Sequence, residues 1–194
     1  MLLPLYIATN ISRFVIDKIN EAFKSAFRLG CDISFDEATM ASKCAFLPGK
    51  VYNPLKPHKF GLKLFMTCCA QTGFCYKFEI YQGKDHYKED SMSDNTGSLR
   101  CDDTRTGPAA LLRAMVEFSG SHRTVYCDRF YTSVKLFLAL GRMGLNACGT
   151  IMTNRKGFTD LVIMPKTGAG YEHGDLKMAS HDMKNCDGRK VCDM

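Results

Sequence analysis

The chain contains no tryptophan and only six prolines in 194 residues. The first absence excludes nothing by itself. The scarcity of proline leaves room for regular elements, since proline interrupts helices and central strands. No run of about 18 apolar residues occurs, so no membrane-spanning helix is expected. The opening Met1-Leu-Leu-Pro-Leu-Tyr-Ile-Ala8 lacks a basic n-region and a long apolar h-region, so no secretory signal is expected there. No Cys-x-x-Cys pair occurs, which argues against a zinc site. His58, His86, His122, His173 and His181 are scattered without ligand spacing, and Ser133 has no evident His/Asp pairing, so neither a histidine metal centre nor a serine nucleophile is expected.

What the chain does have is ten cysteines and a net charge of +6. Cys68, Cys69, Cys75, Cys127 and Cys148 fall in apolar, strand-like stretches, where a free thiol behaves as a small hydrophobe. That usage points to a reducing compartment, cytosol or nucleus, rather than to a disulfide scaffold. The positive charge mildly favours acidic partners such as nucleic acid. A hydrophobic fraction of 45% with 24% charged residues suits one sizeable soluble domain.

Residues 11–29 read as an amphipathic helix in which Val15, Ile19, Phe23 and Phe27 recur every fourth position and Gly30 ends it. Cys31-Asp-Ile-Ser-Phe-Asp-Glu37 reads as a short alternating strand with Ile33 and Phe35 on one face and Asp36 at its tip. Residues 38–59 read as an irregular, extended loop set by Pro48, Pro54 and Pro57. Lys59–Ala70 alternates, with Leu62, Leu64 and Met66 on one face and Lys63, Phe65 and Thr67 on the other. Gln71-Thr-Gly73 turns the chain, and Cys75–Tyr81 returns. Residues 84–105 read as a polar, mobile loop. Gly107-Pro108 opens a helix whose buried stripe is Leu111, Met115 and Phe118.

Thr124–Cys127 then reads as a buried strand delivering Asp128 to its tip. A helix follows, capped by Thr132 or Ser133 and ended by Gly144, with Val134, Phe137, Leu138 and Gly141 along the face laid on the sheet. Asn146–Met152 reads as a fifth strand. An aspartate after a strand is often only a turn former. Two such strands alter the balance, because right-handed crossovers would make them parallel neighbours with Asp36 and Asp128 at one end. The order strand, strand, strand, helix, strand, helix, strand is that of a ribonuclease H-like α/β fold, a mixed sheet beginning with antiparallel strands and continuing with parallel ones.

Several stretches resemble the catalytic domain of piggyBac-family transposases. Ile33-Ser-Phe-Asp-Glu37 is similar to the family's first acidic strand, Ser-(Ile/Val)-Asp-Glu. Tyr52-Asn-Pro-Leu-Lys-Pro-His-Lys-Phe-Gly-Leu-Lys63 resembles Tyr-x-Pro-x-Lys-Pro-x-Lys-(Trp/Phe)-Gly-x-Lys, and Thr72–Lys84 resembles the hairpin that follows. Cys127-Asp-Arg-Phe-Tyr-Thr-Ser133 resembles Asp-Asn-Phe-Phe-Thr-Ser, and Cys148–Gly157 resembles the Gly-Thr-x-x-x-Asn-Arg-Lys strand and loop. The resemblance implies a cut-and-paste DNA transposase core in which Asp36 and Asp128 are the first two of three metal-binding aspartates, with Mg²⁺ or Mn²⁺ as cofactor. Glu37, on the opposite strand face, is the weaker candidate.

The departures matter as much. No Gly-Gly-Val-Asp-like stretch follows Asp128; Asp160, Asp175, Asp182, Asp187 and Asp193 lack that context. Cys186–Met194 is similar to a segment inside the family's insertion region, so the chain is expected to stop there, without the third aspartate or the family's zinc domain. Arg129 stands where the family has Asn, and Ala41–Phe46 replaces a basic segment. The expected organisation is a helix over 1–30, an incomplete catalytic core over 31–157 and a poorly ordered start of an insertion over 158–194. The expected function is a transposase fragment inactive on its own. The alternatives are a domesticated DNA- or protein-binding module without catalysis and an unrelated nuclease completed by Asp160 or Asp175. Lys56, Lys59, Lys63, Arg155 and Lys156 are the expected phosphate contacts. Expected partners are DNA and a second copy of the chain, with no membrane and no small-molecule substrate, and the expected location is the nucleus.

Overall fold

The computed structural model describes residues 3–44, 49–54, 56–81, 106–162 and 178, with backbone alone at 3–12, 106 and 160. The loop expected over 84–105 and the tail beyond 162, Met178 apart, lie outside the described residues. The chain divides into two compact units, 1–152 and 153–194.

The first unit is built on a six-stranded mixed sheet. Its strands are β1 (Asp32–Ala41), β2 (Lys50–Tyr52), β3 (Phe60–Cys69), β4 (Cys75–Ile80), β5 (Thr124–Cys127) and β6 (Asn146–Gly149). The order across the sheet is β2-β3-β1-β5-β6. β4 also pairs with β3, over Leu64–Cys68, while β2 pairs over Phe60–Leu62. Since β1 occupies one edge of β3 along nearly its whole length, β2 and β4 lie end to end on the other. The β1–β3–β4 pairings are antiparallel, and β1–β5 and β5–β6 are parallel. The helices are α1 (Leu3–Ala26), α2 (Thr106–Met115) and α3 (Val134–Arg142), with a 3-10 turn at Val116–Phe118.

Five elements differ from the sequence reading, the first being α1, which runs Leu3–Ala26 rather than 11–29. β1 is ten residues long and continues past Asp36 to Ala41, because β3 offers it a partner at every step from Ile33 to Ala41. β2 forms in the stretch read as loop; three residues carry too little alternation to be seen until β3 stands beside them. β6 ends at Gly149 rather than Met152, where its ladder with the four-residue β5 ends. α3 buries Leu136, Ala139 and Leu140, with Phe137 partly buried against the core, whereas Val134, Leu138 and Gly141 of the expected stripe are not buried. Five consecutive apolar residues, Leu136–Leu140, leave the phase of this helix open, and the stripe that includes a glycine gains less from burial.

The core lies under the Ile33/Phe35 face of β1 and the Phe65/Thr67/Cys69 face of β3, with Val125 and Cys127 from β5. Leu111, Met115 and Phe118 close it, as their spacing predicts. α1 docks through its C-terminal half. Phe23 and Phe27 pack on Phe74, at ring centroid separations of 6.0 and 4.6 Å. Val15, read as part of that stripe, is exposed. The Asn20 amide accepts from the Phe78 N–H and donates to the Phe78 carbonyl, both at 2.9 Å. It thereby occupies backbone groups of β4 that an edge strand would leave open to other chains. Glu117 is held between Lys24 of α1 and Lys77 of β4. Burial opposes its ionisation, but the two ammonium groups outweigh this and hold its carboxyl below the ordinary range.

α3 starts on Ser133, whose Oγ accepts from the Leu136 N–H at 3.2 Å. It is followed by Gly144 with φ of 69°, as a left-handed helix stop requires. Ser133→Ala leaves a helix N–H without its acceptor in a buried position and is expected to cost about 1 kcal/mol, measured by denaturant unfolding; Ser133→Asp should recover most of it.

Candidate metal and nucleic-acid site

The parallel ladder between β1 and β5 runs Asp32↔Thr124, Ile33↔Val125, Ser34↔Tyr126 and Phe35↔Cys127. One step further in the same register lie Asp36 and Asp128. Neighbouring strands are roughly 4.8 Å apart, so two acids 92 positions apart in sequence each follow one member of the same cross-strand pair, Phe35 and Cys127. Asp36 is not at the end of its own strand, which continues along β3. It stands where the parallel ladder with β5 ends and the sheet opens. Both acids are exposed and fall on the sheet face opposite the core.

Their hydrogen bonds differ. Asp128 Oδ1 accepts from the Phe130 N–H at 2.9 Å and the Tyr131 N–H at 3.4 Å. The Asp128 carbonyl accepts from the Thr132 hydroxyl at 2.8 Å. The turn-forming role is thus present, and it fixes where Asp128 points. Asp36 Oδ1 accepts from the Glu37 N–H at 2.7 Å. These bonds use one oxygen of each acid. Arg129 is exposed beside Asp128.

Tyr131 was not foreseen as a site residue. It is fully buried, packs edge-on against Phe35 with ring centroids 5.2 Å apart, and its hydroxyl has no hydrogen-bond partner among the described residues. Burial pushes its phenol up, and the charges of Glu37, Asp36 and Asp128 push it further. One buried ring thus feels all three carboxylates. The only sequence signal for it is its place in the turn after Asp128. On the acid-bearing face, Cys68 lies opposite Ser34 and pairs with Cys75 across β4. Hydrogen bonding with Cys75 lowers the Cys68 thiol to about 7, against burial and the charge of Asp36.

Glu37 points to the other face and forms an ion pair with Lys63. The two are diagonal neighbours, since Glu37 faces Phe65 and Lys63 faces Thr39. Lys63 is therefore matched by a carboxylate and partly covered. Lys56 and Lys59 are exposed on the loop between β2 and β3, which is closed by Asn53 N–H donating to the Lys59 carbonyl at 2.8 Å. Arg155 and Lys156 belong to the second unit, where Arg155 is half-buried, Lys156 is exposed and a turn closes from the Phe158 N–H to the Arg155 carbonyl at 3.0 Å.

Carboxylate oxygens suit a hard divalent ion, and Asp36 and Asp128 are the two carboxylates that follow the last pair of the β1–β5 ladder. Among the described residues no group of three or more His, Cys, Asp or Glu stands together as a metal site. Asp160 is described by its backbone alone, and Asp175, Asp182, Asp187 and Asp193 lie outside the described residues. Among the described residues this donor set suits one weakly held ion and does not by itself complete a two-ion centre. No helix among the described residues is long and apolar enough to cross a membrane.

A mixed sheet of this order, antiparallel at one side and parallel at the other with helices packed on it, is the ribonuclease H-like fold of transposases. The chain belongs to the family described as Transposase IS4, whose profile matches residues 9–188. It is also similar in fold to a piggyBac transposase solved by cryo-EM as a synaptic complex with hairpin DNA, with a TM-score of 0.60 and 22% identity. That match covers 81% of this chain and 30% of the other, so the chain spans under a third of that transposase.

Proposed function

We propose that this chain is a piggyBac-type transposase core fragment that binds DNA through its phosphates and holds at most one divalent ion between Asp36 and Asp128. The observation supporting this reading is the β1–β5 register, whose last pair, Phe35 and Cys127, immediately precedes the two acids. An ion held there would supply charge neutralisation and Lewis-acid polarisation of a phosphate oxygen. The chain's own part is to fix the two carboxylates: Asp128 by the Phe130 and Tyr131 amides, Asp36 by the β3 ladder. Strand cleavage by two ions requires a further ligand, so the isolated chain is expected to bind DNA without cutting it.

Lys56 and Lys59, both exposed, are the proposed phosphate contacts of the first unit, and Arg155 and Lys156 those of the second. Lys63 contributes less, because Glu37 already offsets its charge. DNA affinity should fall steeply between about 50 and 200 mM salt, with a log–log slope near −0.9 per phosphate engaged. Replacing both Lys56 and Lys59 by alanine should reduce that slope by about 2. A flat salt response would remove the DNA reading, and magnesium-dependent nicking abolished by Asp128→Ala would remove the reading of inactivity. Nuclear location is proposed on the same grounds, as the place where such DNA is found.

A further inference from the structure

On the Glu37 side of the sheet a cavity of about 320 Å³ opens between β1, β2, β3, the start of α2 and the turn after β5. Its walls are aromatic: Tyr52, Phe65, Tyr81 and Phe130. Phe65 is buried, whereas Tyr52 and Phe130 are 57% and 47% exposed. Two aromatic rings thus stay partly in water at one site, Tyr52 against Phe60 and Phe130 under the Lys63 ammonium, a cost a fold seldom carries without use. Phe130 is held in place by its own N–H on Asp128, and Gly107 makes room for its ring: a Cβ there would stand 2.9 Å from it. Tyr52 leans on Phe60 with ring centroids 4.9 Å apart, and Lys50 lies over the Phe60 ring.

The polar groups are few. Lys63 sits 5.2 Å from the Phe130 ring centroid and 5.3 Å from that of Phe65, with its charge balanced by Glu37. Lys56 lines the cavity and reaches the surface, and Asn53 lies beside it. A flat, uncharged π-system with a polar edge and one attached negative charge matches this arrangement: its faces meet Tyr52 or Phe130, its edge meets Asn53 and the Glu37–Lys63 pair, and its charge meets Lys56.

We infer that this cavity holds the base of a single unpaired nucleotide, stacked on Tyr52 and Phe130 with its phosphate toward Lys56. The inference rests on the DNA-binding reading above and names what the first unit selects within DNA. Stacking of this kind tolerates any base, so the preference is for an unpaired base rather than for a sequence.

The test uses the full chain in EDTA, so that cleavage plays no part. Two duplexes of equal length are compared, one fully paired and one carrying a single bulged 2-aminopurine. The bulged duplex should bind about tenfold more tightly, with 2-aminopurine emission quenched on binding. Tyr52→Ala and Phe130→Ala should each remove most of that preference and the quenching; Tyr52→Ala, outside the turn that holds Asp128, should also leave affinity for the paired duplex and the melting temperature unchanged. Equal binding of both duplexes, or a preference untouched by both substitutions, overturns the base site and leaves the DNA reading standing. Absence of salt-sensitive binding to either duplex overturns both.

Discussion

Phe35→Ala should lower the unfolding free energy by about 3–5 kcal/mol. A domain of this kind has only about 5–15 kcal/mol in total. Phe35 is 1% exposed and is contacted from two sides, by Phe65 at 6.1 Å between ring centroids and by Tyr131 at 5.2 Å. Its neighbours belong to β3 and to the turn after β5, held in register by two ladders, so the hole left by the ring cannot close cheaply. The residue also immediately precedes Asp36, so loosening it frees one of the two acids. Denaturant unfolding should show the loss, and Phe14→Ala, at an exposed ring on α1, should change stability by no more than about 0.5 kcal/mol. A loss below about 1 kcal/mol for Phe35→Ala would mean that the packing between β1, β3 and Tyr131 is not as described.

Gly149→Ala should be nearly as damaging for a different reason. Its backbone is not in the left-handed region, so the difficulty is space alone. A Cβ there would lie 2.3 Å from the Cys127 carbonyl oxygen and 2.7 Å from Thr132 Oγ1. The first is backbone and cannot rotate away, so β5 and β6 must part. The cost should reach the upper end of overpacking, about 3 kcal/mol, or a fall of roughly 6–12 °C in melting temperature. The displacement passes straight to the site, because the Thr132 hydroxyl donates to the Asp128 carbonyl. Gly141→Ala, where nothing stands within 4 Å, should instead stabilise α3 slightly.

These two residues also show what the sequence could and could not reveal. The alternation around Phe35 and the short apolar Thr124–Cys127 make the central parallel pair readable, and with it the placement of Asp36 and Asp128, because a period of two and a right-handed crossover leave little freedom. Gly149 carries no such sign: its importance comes from a carbonyl of another strand, which exists only after pairing. The same holds for β2, which depends on β3 for its definition, and for the Glu37–Lys63 pair, created by the antiparallel register. The phase of α3 was ambiguous because its apolar run is wider than one face. Tyr131 looked like a turn residue and became a buried ring among three carboxylates only once the turn folded back.

The claim at the centre is that Asp36 and Asp128, joined by register, form a two-carboxylate ion site. Titration of the chain with Mn²⁺, followed by electron paramagnetic resonance, tests it most directly. One weakly bound ion per chain, lost in Asp36→Asn and in Asp128→Asn but retained in Asp32→Asn, is the predicted result; two ions per chain, no bound ion, or binding indifferent to both substitutions would contradict it.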